Sequence, residues 1–106
     1  MLATRVLGPD RVCGIYKITN TENNMAYIGQ STNMKDRWTA HIKAGLGIGT
    51  TSTNKFYSAL RENGVWNYTF EVLEKCDPSL LDEREKYYIG FYKTTEYGYN
   101  TLKGNG

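Results

Sequence analysis

The sequence predicts an α/β fold of the α+β kind, in which a small three-stranded antiparallel β-sheet is flanked by helices. Three short stretches alternate in hydrophobicity and are rich in β-branched and aromatic residues, as half-buried strands are. Three other stretches repeat apolar residues every three or four positions, which is typical of amphipathic helices. With 106 residues, 40% of them apolar, the chain has room for one hydrophobic core, and the elements follow in the order ββααβα.

The first two strands are expected to pair as a hairpin. They run from Cys13 to Asn20 and from Met25 to Gln30. The polar residues 21–24 between them favour a tight reversal of the chain. An antiparallel sheet therefore starts the fold.

The first helix follows directly after the hairpin. Asn33 can cap its N-terminus, and Met34, Trp38 and Ile42 recur every four residues until Gly45 ends it. These three apolar side chains form a narrow stripe that is expected to face the interior.

The second half of the chain adds two helices and a strand. A loop rich in Gly, Ser and Thr from 45 to 53 leads to a helix from about 54 to 63. Alternation from 68 to 73 predicts the third strand. The last helix is predicted from 77 to about 92, because an Asp followed by Pro is a favourable helix start.

Composition excludes several classes of protein. No apolar stretch approaches the roughly 20 residues that cross a bilayer, and no leader precedes a small-residue cleavage site. Cys13 and Cys76 form no C-x-x-C pair, so neither a disulfide scaffold nor a zinc finger is expected. We expect an intracellular protein, cytoplasmic or associated with the nucleoid. The net charge of +2 is too small by itself to indicate a nucleic-acid partner.

Two features break the structural pattern. In the last helix Glu85 shares an apolar stripe with Leu81 and Ile89, so a carboxylate occupies a position patterned for the interior. A salt bridge or a rim position accounts for it as well as a metal ion does. In the first helix Arg37 and His41 lie one turn apart beside the apolar stripe. A half-buried histidine with a hydrogen-bond partner is the structural alternative to a reactive one.

Two tripeptides give these residues a context. Gly14-Ile15-Tyr16 stands on the first strand, and Tyr27-Ile28-Gly29 stands on the second. Further along, the chain carries Arg37, His41, Glu85 and Asn100. Through this set, in this order and spacing, it resembles the GIY-YIG nuclease superfamily over residues 14–100. Within it, the chain is most similar to the catalytic domain of phage intron-encoded or free-standing homing endonucleases.

The resemblance implies a metal-dependent DNA endonuclease that hydrolyses phosphodiester bonds. It implies that Tyr16 is the general base for water, with His41 accepting the phenol's proton or bonding to its oxygen. Such help is needed because an ordinary phenol, with a pKa of ~10, is protonated at neutral pH. Glu85 would hold one Mg²⁺, which Mn²⁺ can replace, since Mg²⁺ commonly takes one or two protein carboxylates and substrate phosphates. Arg37 would clamp a phosphate oxygen and, with the metal, favour the phenolate.

The remaining residues of the pattern are assigned supporting roles. Tyr27 would orient the water or a phosphate, and packing within the hairpin is its structural alternative. Asn100 would position neighbouring groups. Gly14 and Gly29 would leave the strands without a side chain at positions that DNA or neighbouring side chains approach closely. Hairpin geometry alone is the alternative explanation for these glycines.

DNA is the expected partner, and no membrane contact is expected. Four cations are assigned weak phosphate contacts, with a solvated surface position as the favoured alternative for each one taken singly: Lys35, Lys43, Lys55 and Arg61. The chain is expected to divide into a lead-in at residues 1–12, the nuclease domain at residues 13–102 and a tail at residues 103–106. The one role assigned to the lead-in is that of a flap over the sheet. Target choice is expected to lie in a separate DNA-targeting domain or partner, and the chain is expected to be a monomer in solution.

Three alternatives stay open at this point. The same fold could be a non-catalytic DNA-binding module, although such a module has no physical reason to place Glu85 in an apolar stripe. The same chemistry could serve a restriction-type or structure-specific repair-type nuclease, which cleavage of plain, nicked and branched DNA would separate. A structural domain whose nine tyrosines serve packing alone is the third alternative.

Overall fold

A computed structural model describes residues 12–50, 52 and 54–101 of the chain. It confirms the predicted three-stranded antiparallel sheet flanked by helices. The tail predicted at residues 103–106, and the predicted lead-in apart from residue 12, lie outside the described residues.

The elements of the described part follow the predicted order, with short helices added. The strands are β1 (Gly14–Asn20), β2 (Ala26–Ser31) and β3 (Tyr68–Lys75). The helices are α1 (Met34–Gly45), α2 (Lys55–Asn63), α3 (Leu81–Tyr92) and α4 (Thr94–Tyr97). One 3₁₀ turn, Val65–Asn67, precedes β3, and another, Pro78–Leu80, precedes α3.

The sheet has the order β2-β1-β3, and both pairings are antiparallel. The predicted hairpin joins β1 to β2 through a turn in which Asn24 takes a left-handed conformation, with φ of 62°. Because β1 is central, its alternating side chains reach both faces of the sheet. The strand that carries the first tripeptide therefore contributes to two packed layers.

Those two layers hold different helices. On one face, Tyr16 and Ile18 of β1 pack in a cluster with Trp38 of α1 and Leu60 of α2. On the other face, the apolar side chains of β1 and β2 pack against Leu81 of α3. The sheet is thus covered by α1 and α2 on one side and by α3 on the other.

The predicted stripe of α1 is wrong at its third position. Asn33 caps the helix as predicted, but the buried residues after Met34 and Trp38 are His41 and Ala44, while Ile42 is half-buried. Each four-residue step overshoots a helical turn, so two such steps drift by about 80° away from the starting face. The three-residue step to His41 returns to that face and brings an imidazole into the core.

The predicted start of the last helix is also wrong. The carboxylate of Asp77 accepts the amide of Ser79, at 3.0 Å, and caps the 3₁₀ turn rather than α3. The α-helix begins at Leu81, one turn later. Within α3 the burial of Leu81 and Glu85 follows the predicted stripe, and Ile89, its third member, is half-buried.

The two cysteines are neighbours although they are far apart in the sequence. The amide of Cys76 donates to the carbonyl of Cys13 at 3.1 Å, which continues the ladder between β1 and β3. Both thiols are free and half-buried.

The two glycines of the tripeptides make room for the protein's own atoms. Gly29 pairs with Tyr16 across the hairpin, and a Cβ at Gly29 would overlap the Tyr16 phenol, lying 2.8 Å from Cε1. A Cβ at Gly14 would overlap the carbonyl oxygen of Glu74 on β3. The missing side chain at Gly29 thus lets the Tyr16 ring lie across β2.

Replacing Gly29 with alanine is expected to destabilise the fold. The added methyl group has to push the buried Tyr16 ring aside, and overpacking of this kind costs about 1–3 kcal/mol. The free energy of unfolding measured with urea is expected to fall by that amount. Gly90→Ala is the matched control, because a Cβ at Gly90 on α3 meets no atom within 4 Å, and Ala is favoured over Gly in helices by about 1 kcal/mol. Equal effects of the two substitutions would contradict the steric account.

Candidate active site

A buried cluster of rings gathers three of the predicted site residues on the α1 face of the sheet. Tyr16 comes from β1, Tyr27 from β2 and His41 from α1, and their ring centroids lie 5.6–6.4 Å apart. The hydroxyl of Tyr16 lies 2.7 Å from Nε2 of His41. The hydrogen bond that the sequence suggested between phenol and imidazole is therefore present.

The ring of Tyr27 is held in a second way. It stacks on Phe56 of α2 with centroids 4.3 Å apart and planes within 1° of parallel. Offset or stacked aromatic pairs add about 0.5–1.5 kcal/mol beyond the area they bury. This contact ties the second tripeptide to α2 and limits the positions that the Tyr27 hydroxyl can take.

Burial dominates the acidity of Tyr16. Desolvation raises the pKa of its phenol well above the ordinary value, and the neighbouring Tyr27 adds to the rise. The guanidinium of Arg37 lowers the pKa, as the sequence predicted, but it does not outweigh burial. With the protein's own groups alone, the phenol stays protonated at neutral pH.

The imidazole of His41 is neutral for the same reason. It is 1% exposed, and burial, followed by the charge of Arg37, lowers its pKa to about 3. A neutral imidazole has one nitrogen that can accept a proton. In the described part of the chain Nδ1 has no hydrogen-bond partner, so Tyr16 is the polar contact of this ring that the structure records.

Glu85 reaches the site from the opposite face of the sheet. Its side chain is 8% exposed, and Oε1 accepts a hydrogen bond from Nε2 of Gln30 on β2 at 3.0 Å. The same Nε2 donates to Oδ1 of Asp82, one turn earlier on α3, at 2.8 Å. Burial raises the pKa of the Tyr27 phenol to about 12. The charge of Arg37 opposes this rise, and the charge of Glu85 adds to it.

Gln30 was not among the predicted site residues. The residue directly follows the second tripeptide, and strand alternation places it on the same face as Ile28, toward α3. That parity was a usable signal, because Glu85 was already predicted to face inward from the last helix.

Asn100 serves the edge of the sheet. Its Oδ1 accepts the amide of Ile28 at 2.8 Å, and its Nδ2 donates to the carbonyl of Ile28 at 2.9 Å. β2 is an edge strand, so this side chain satisfies backbone groups that would otherwise lack a neighbouring strand. The contact agrees with a positioning role.

The four predicted DNA contacts fall in three different settings. Lys35 and Lys43 are exposed along α1. Lys55 begins α2 and lines a cavity of about 90 Å³ together with Arg37 and Tyr57. Arg61 is half-buried and donates to the carbonyl of Thr50 at 3.4 Å, which gives it a structural contact within the loop.

Tyr57 is a second residue that the sequence-based argument missed. It lines the same cavity, its ring centroid lies 5.6 Å from that of His41, and it interacts electrostatically with Arg37. No sequence signal marked it, because the inward stripe of α2 is carried by Phe56 and Leu60.

The carboxylate oxygens at Glu85 suit a magnesium ion better than a zinc ion. The described residues contain no group of three or more His, Cys, Asp or Glu side chains that could hold an ion. Mg²⁺ is commonly bound by one or two carboxylates plus phosphate oxygens and water, whereas structural zinc takes four protein ligands. The pair of carboxylates on one face of α3 fits the former.

None of the helices in the described ranges is long and apolar enough to cross a membrane.

Residues 12–100 match the model of the GIY-YIG catalytic domain family. The chain therefore belongs to the GIY-YIG endonuclease family. It is 34% identical over 89 residues to intron-associated endonuclease 1 of Enterobacteria phage T4. The matched segment covers 82% of this chain and 36% of that protein. The chain thus spans about a third of the length of this relative.

Solved structures agree with this assignment. The catalytic domain of the homing endonuclease I-TevI superimposes with a TM-score of 0.71 at 27% identity, covering 85% of this chain and 98% of that one. A mutant of the same catalytic domain gives the same TM-score and identity, over 90% of this chain and 96% of that one. The predicted resemblance and fold are confirmed.

The buried imidazole is expected to make folding stability depend on pH. The unfolded chain takes up a proton at His41 near pH 6.5, whereas the folded protein does so only near pH 3. The free energy of unfolding should therefore be largest above pH 7 and fall by about 2 kcal/mol between pH 7 and pH 5 from this group. Urea unfolding at several pH values measures it.

His41→Gln is the control for that measurement. His41 is the one histidine of the chain, so the variant should lose most of the dependence between pH 7 and pH 5. An unchanged slope would show that His41 is not buried in its neutral form.

Proposed function

We propose that this chain is a metal-dependent DNA endonuclease domain that hydrolyses phosphodiester bonds, with Tyr16 as the general base for the attacking water. The observation that supports this most directly is the 2.7 Å contact between the Tyr16 hydroxyl and Nε2 of His41 inside a buried cluster. Family membership supplies the reaction class.

Tyr16 would act through a relay of two protons. Its oxygen takes a proton from the water that attacks phosphorus, while its own proton passes to Nε2 of His41. The water oxygen forms the new bond to phosphorus, and the bond to the 3′ oxygen breaks. Coupling the two transfers avoids a free phenolate, which burial of Tyr16 makes costly.

Arg37 would bind the phosphate and activate the relay. In the protein alone its charge lowers the pKa of His41 and so weakens that base. A phosphate oxygen that accepts the guanidinium fork compensates this charge, and the imidazole becomes easier to protonate. Binding of the substrate would thus bring the pKa of His41 toward its ordinary range.

Glu85 would hold the divalent metal ion, Mg²⁺ or Mn²⁺. Its carboxylate is buried and oriented by Gln30, while Asp82 shares that same amide. When bound, the ion supplies charge stabilisation at the phosphoryl oxygens and at the departing 3′ oxygen. Tyr27 would orient the water or phosphate between this carboxylate and Arg37, and Asn100 would hold the edge of β2.

DNA would be the substrate, with target choice residing in a separate domain or partner. The match to the phage T4 endonuclease covers 36% of that relative, which leaves most of its length for other tasks. The net charge of +2 agrees with weak, salt-sensitive binding by this domain alone. We propose a monomer in solution, with the exposed lysines Lys35, Lys43 and Lys55 as phosphate contacts.

Cleavage is expected to need the metal and Glu85. Supercoiled plasmid incubated with the purified chain and Mg²⁺ or Mn²⁺ should be converted to nicked or linear forms, and EDTA should prevent it. Glu85→Gln removes the ligand charge at nearly constant shape and should abolish nicking while leaving the urea unfolding midpoint close to wild type. Gel separation of the plasmid forms provides the readout.

The matched control is Glu83→Gln, which changes an exposed carboxylate on the same helix and should leave nicking intact. If the wild-type chain binds DNA and does not cut it, the non-catalytic binding module becomes the better description. Preference for branched or nicked substrates would favour a repair-type nuclease.

Tyr16→Phe is expected to reduce the single-turnover cleavage rate about 10²–10⁴-fold, the range that general bases contribute. The ring remains to fill the core, so DNA affinity should change little. Tyr97→Phe removes a hydroxyl from a tyrosine that is 69% exposed and should cleave at the wild-type rate. A Tyr16→Phe enzyme that retains full activity would rule Tyr16 out as the base.

A further inference from the structure

The cavity beside the candidate site is built for an anion. It lies between the candidate catalytic residues and the start of α2, and it has a volume of about 90 Å³. The described residues that line it include two cations, Arg37 and Lys55, and no carboxylate. A cavity of this size has room for a phosphate group.

The wall formed by α2 offers hydrogen-bond donors. Asn54 caps this helix of nine residues, and its side chain accepts the amide of Tyr57 at 2.8 Å. The amides of the first two helical residues, Lys55 and Phe56, have no acceptor among the residues that the structure describes. Amides at a helix N-terminus, reinforced by the helix dipole, favour a bound anion.

The opposite wall contributes a polar atom without a partner. His41 is 1% exposed, it lines the cavity, and its Nδ1 makes no hydrogen bond within the described ranges. When the Tyr16 hydroxyl donates to Nε2, the proton of the neutral imidazole is on Nδ1. A buried donor of this kind costs stability unless a ligand or water satisfies it.

The cavity adjoins the place where the bond is proposed to be cut and extends from there to the start of α2. Neither Tyr16, the proposed base, nor Glu85, the proposed metal ligand, is among its lining residues. Tyr27, Arg37 and His41, which the proposed mechanism also uses, line the cavity, so the two places share these three residues. A phosphate in the cavity would therefore be adjacent to the one that is hydrolysed.

We propose that this cavity binds a second phosphate of the DNA backbone, next to the cleaved one, through Lys55, Tyr57 and the two amides at the start of α2. The proposal rests on the proposed nuclease function for the identity of the ligand. Its role is to fix the register of the strand, so that the neighbouring phosphodiester bond meets Tyr16.

Inorganic phosphate is the first probe, because its binding can be measured without cleavage. Titration into the ¹⁵N-labelled chain should give saturable NMR shifts of the Lys55 and Phe56 amides. Lys55→Gln should weaken this binding several-fold. Lys75→Gln, which changes an exposed lysine at the end of β3 on the far edge of the sheet, should leave it unchanged.

DNA binding at varied salt is the second measurement. Lys55→Gln should lower the slope of log K against log salt by about 0.9, the value for one phosphate contact on duplex DNA. Its KM should rise by a larger factor than the single-turnover rate at saturating DNA falls. Tyr57→Phe should raise the dissociation constant of inorganic phosphate in the same titration.

Two results would overturn the proposal. Absence of saturable shifts at the Lys55 and Phe56 amides would remove the anion site, even if the chain nicks DNA. A lower saturated rate for Lys55→Gln at unchanged affinity would place Lys55 at the cleaved phosphate instead. Failure of the proposed nuclease function would give a different result, because phosphate would still bind to a chain that does not cut DNA.

Discussion

The phenol of Tyr16 joins the sheet, the first helix and the candidate site in one contact. Its ring lies across Gly29 of β2 and edge-on to Trp38 of α1, with centroids 6.0 Å apart, and its hydroxyl is buried against His41. A buried hydroxyl without a partner is costly, so the core must contain an acceptor at this place. That requirement explains why an imidazole occupies a core position of α1 and why the opposing residue on β2 has no side chain.

The same burial sets the protonation state of the site. Tyr16 and His41 are both held neutral by desolvation, and Arg37 opposes this for the phenol while reinforcing it for the imidazole. Any anion that compensates Arg37 therefore raises both pKa values: the phenol becomes less acidic, and the imidazole becomes more basic. A relay through both groups is favoured over ionisation of the phenol alone, because the gain at His41 offsets the loss at Tyr16.

Periodicity was sufficient to predict the elements, and it failed where packing decides between neighbouring positions. Alternation and helical spacing placed the strands and helices, and the two tripeptides with the spaced polar residues identified the family. The four-residue repeat in α1 predicted that Ile42 is buried, whereas the fold buries His41. Hydrophobicity alone does not reveal that the core contains a hydrogen-bond partner for the imidazole, the Tyr16 hydroxyl. Tyr57 could not be found from the sequence, since its relevance comes from a cavity between α1 and α2 that exists only after folding.

Strand β2 couples the two halves of the candidate site through two adjacent residues. Gly29 faces α1 and receives the Tyr16 ring, while Gln30 faces α3 and bonds to Glu85. A slip of one residue in the β1–β2 register would exchange these faces, placing a side chain under Tyr16 and leaving Glu85 without its amide donor. Asn100 holds both backbone groups of Ile28, the residue before this pair, and thereby opposes such a slip. The distance between the proposed base and the proposed metal ligand is therefore a property of the sheet register. In the proposed mechanism, Asn100 would serve catalysis by keeping that register.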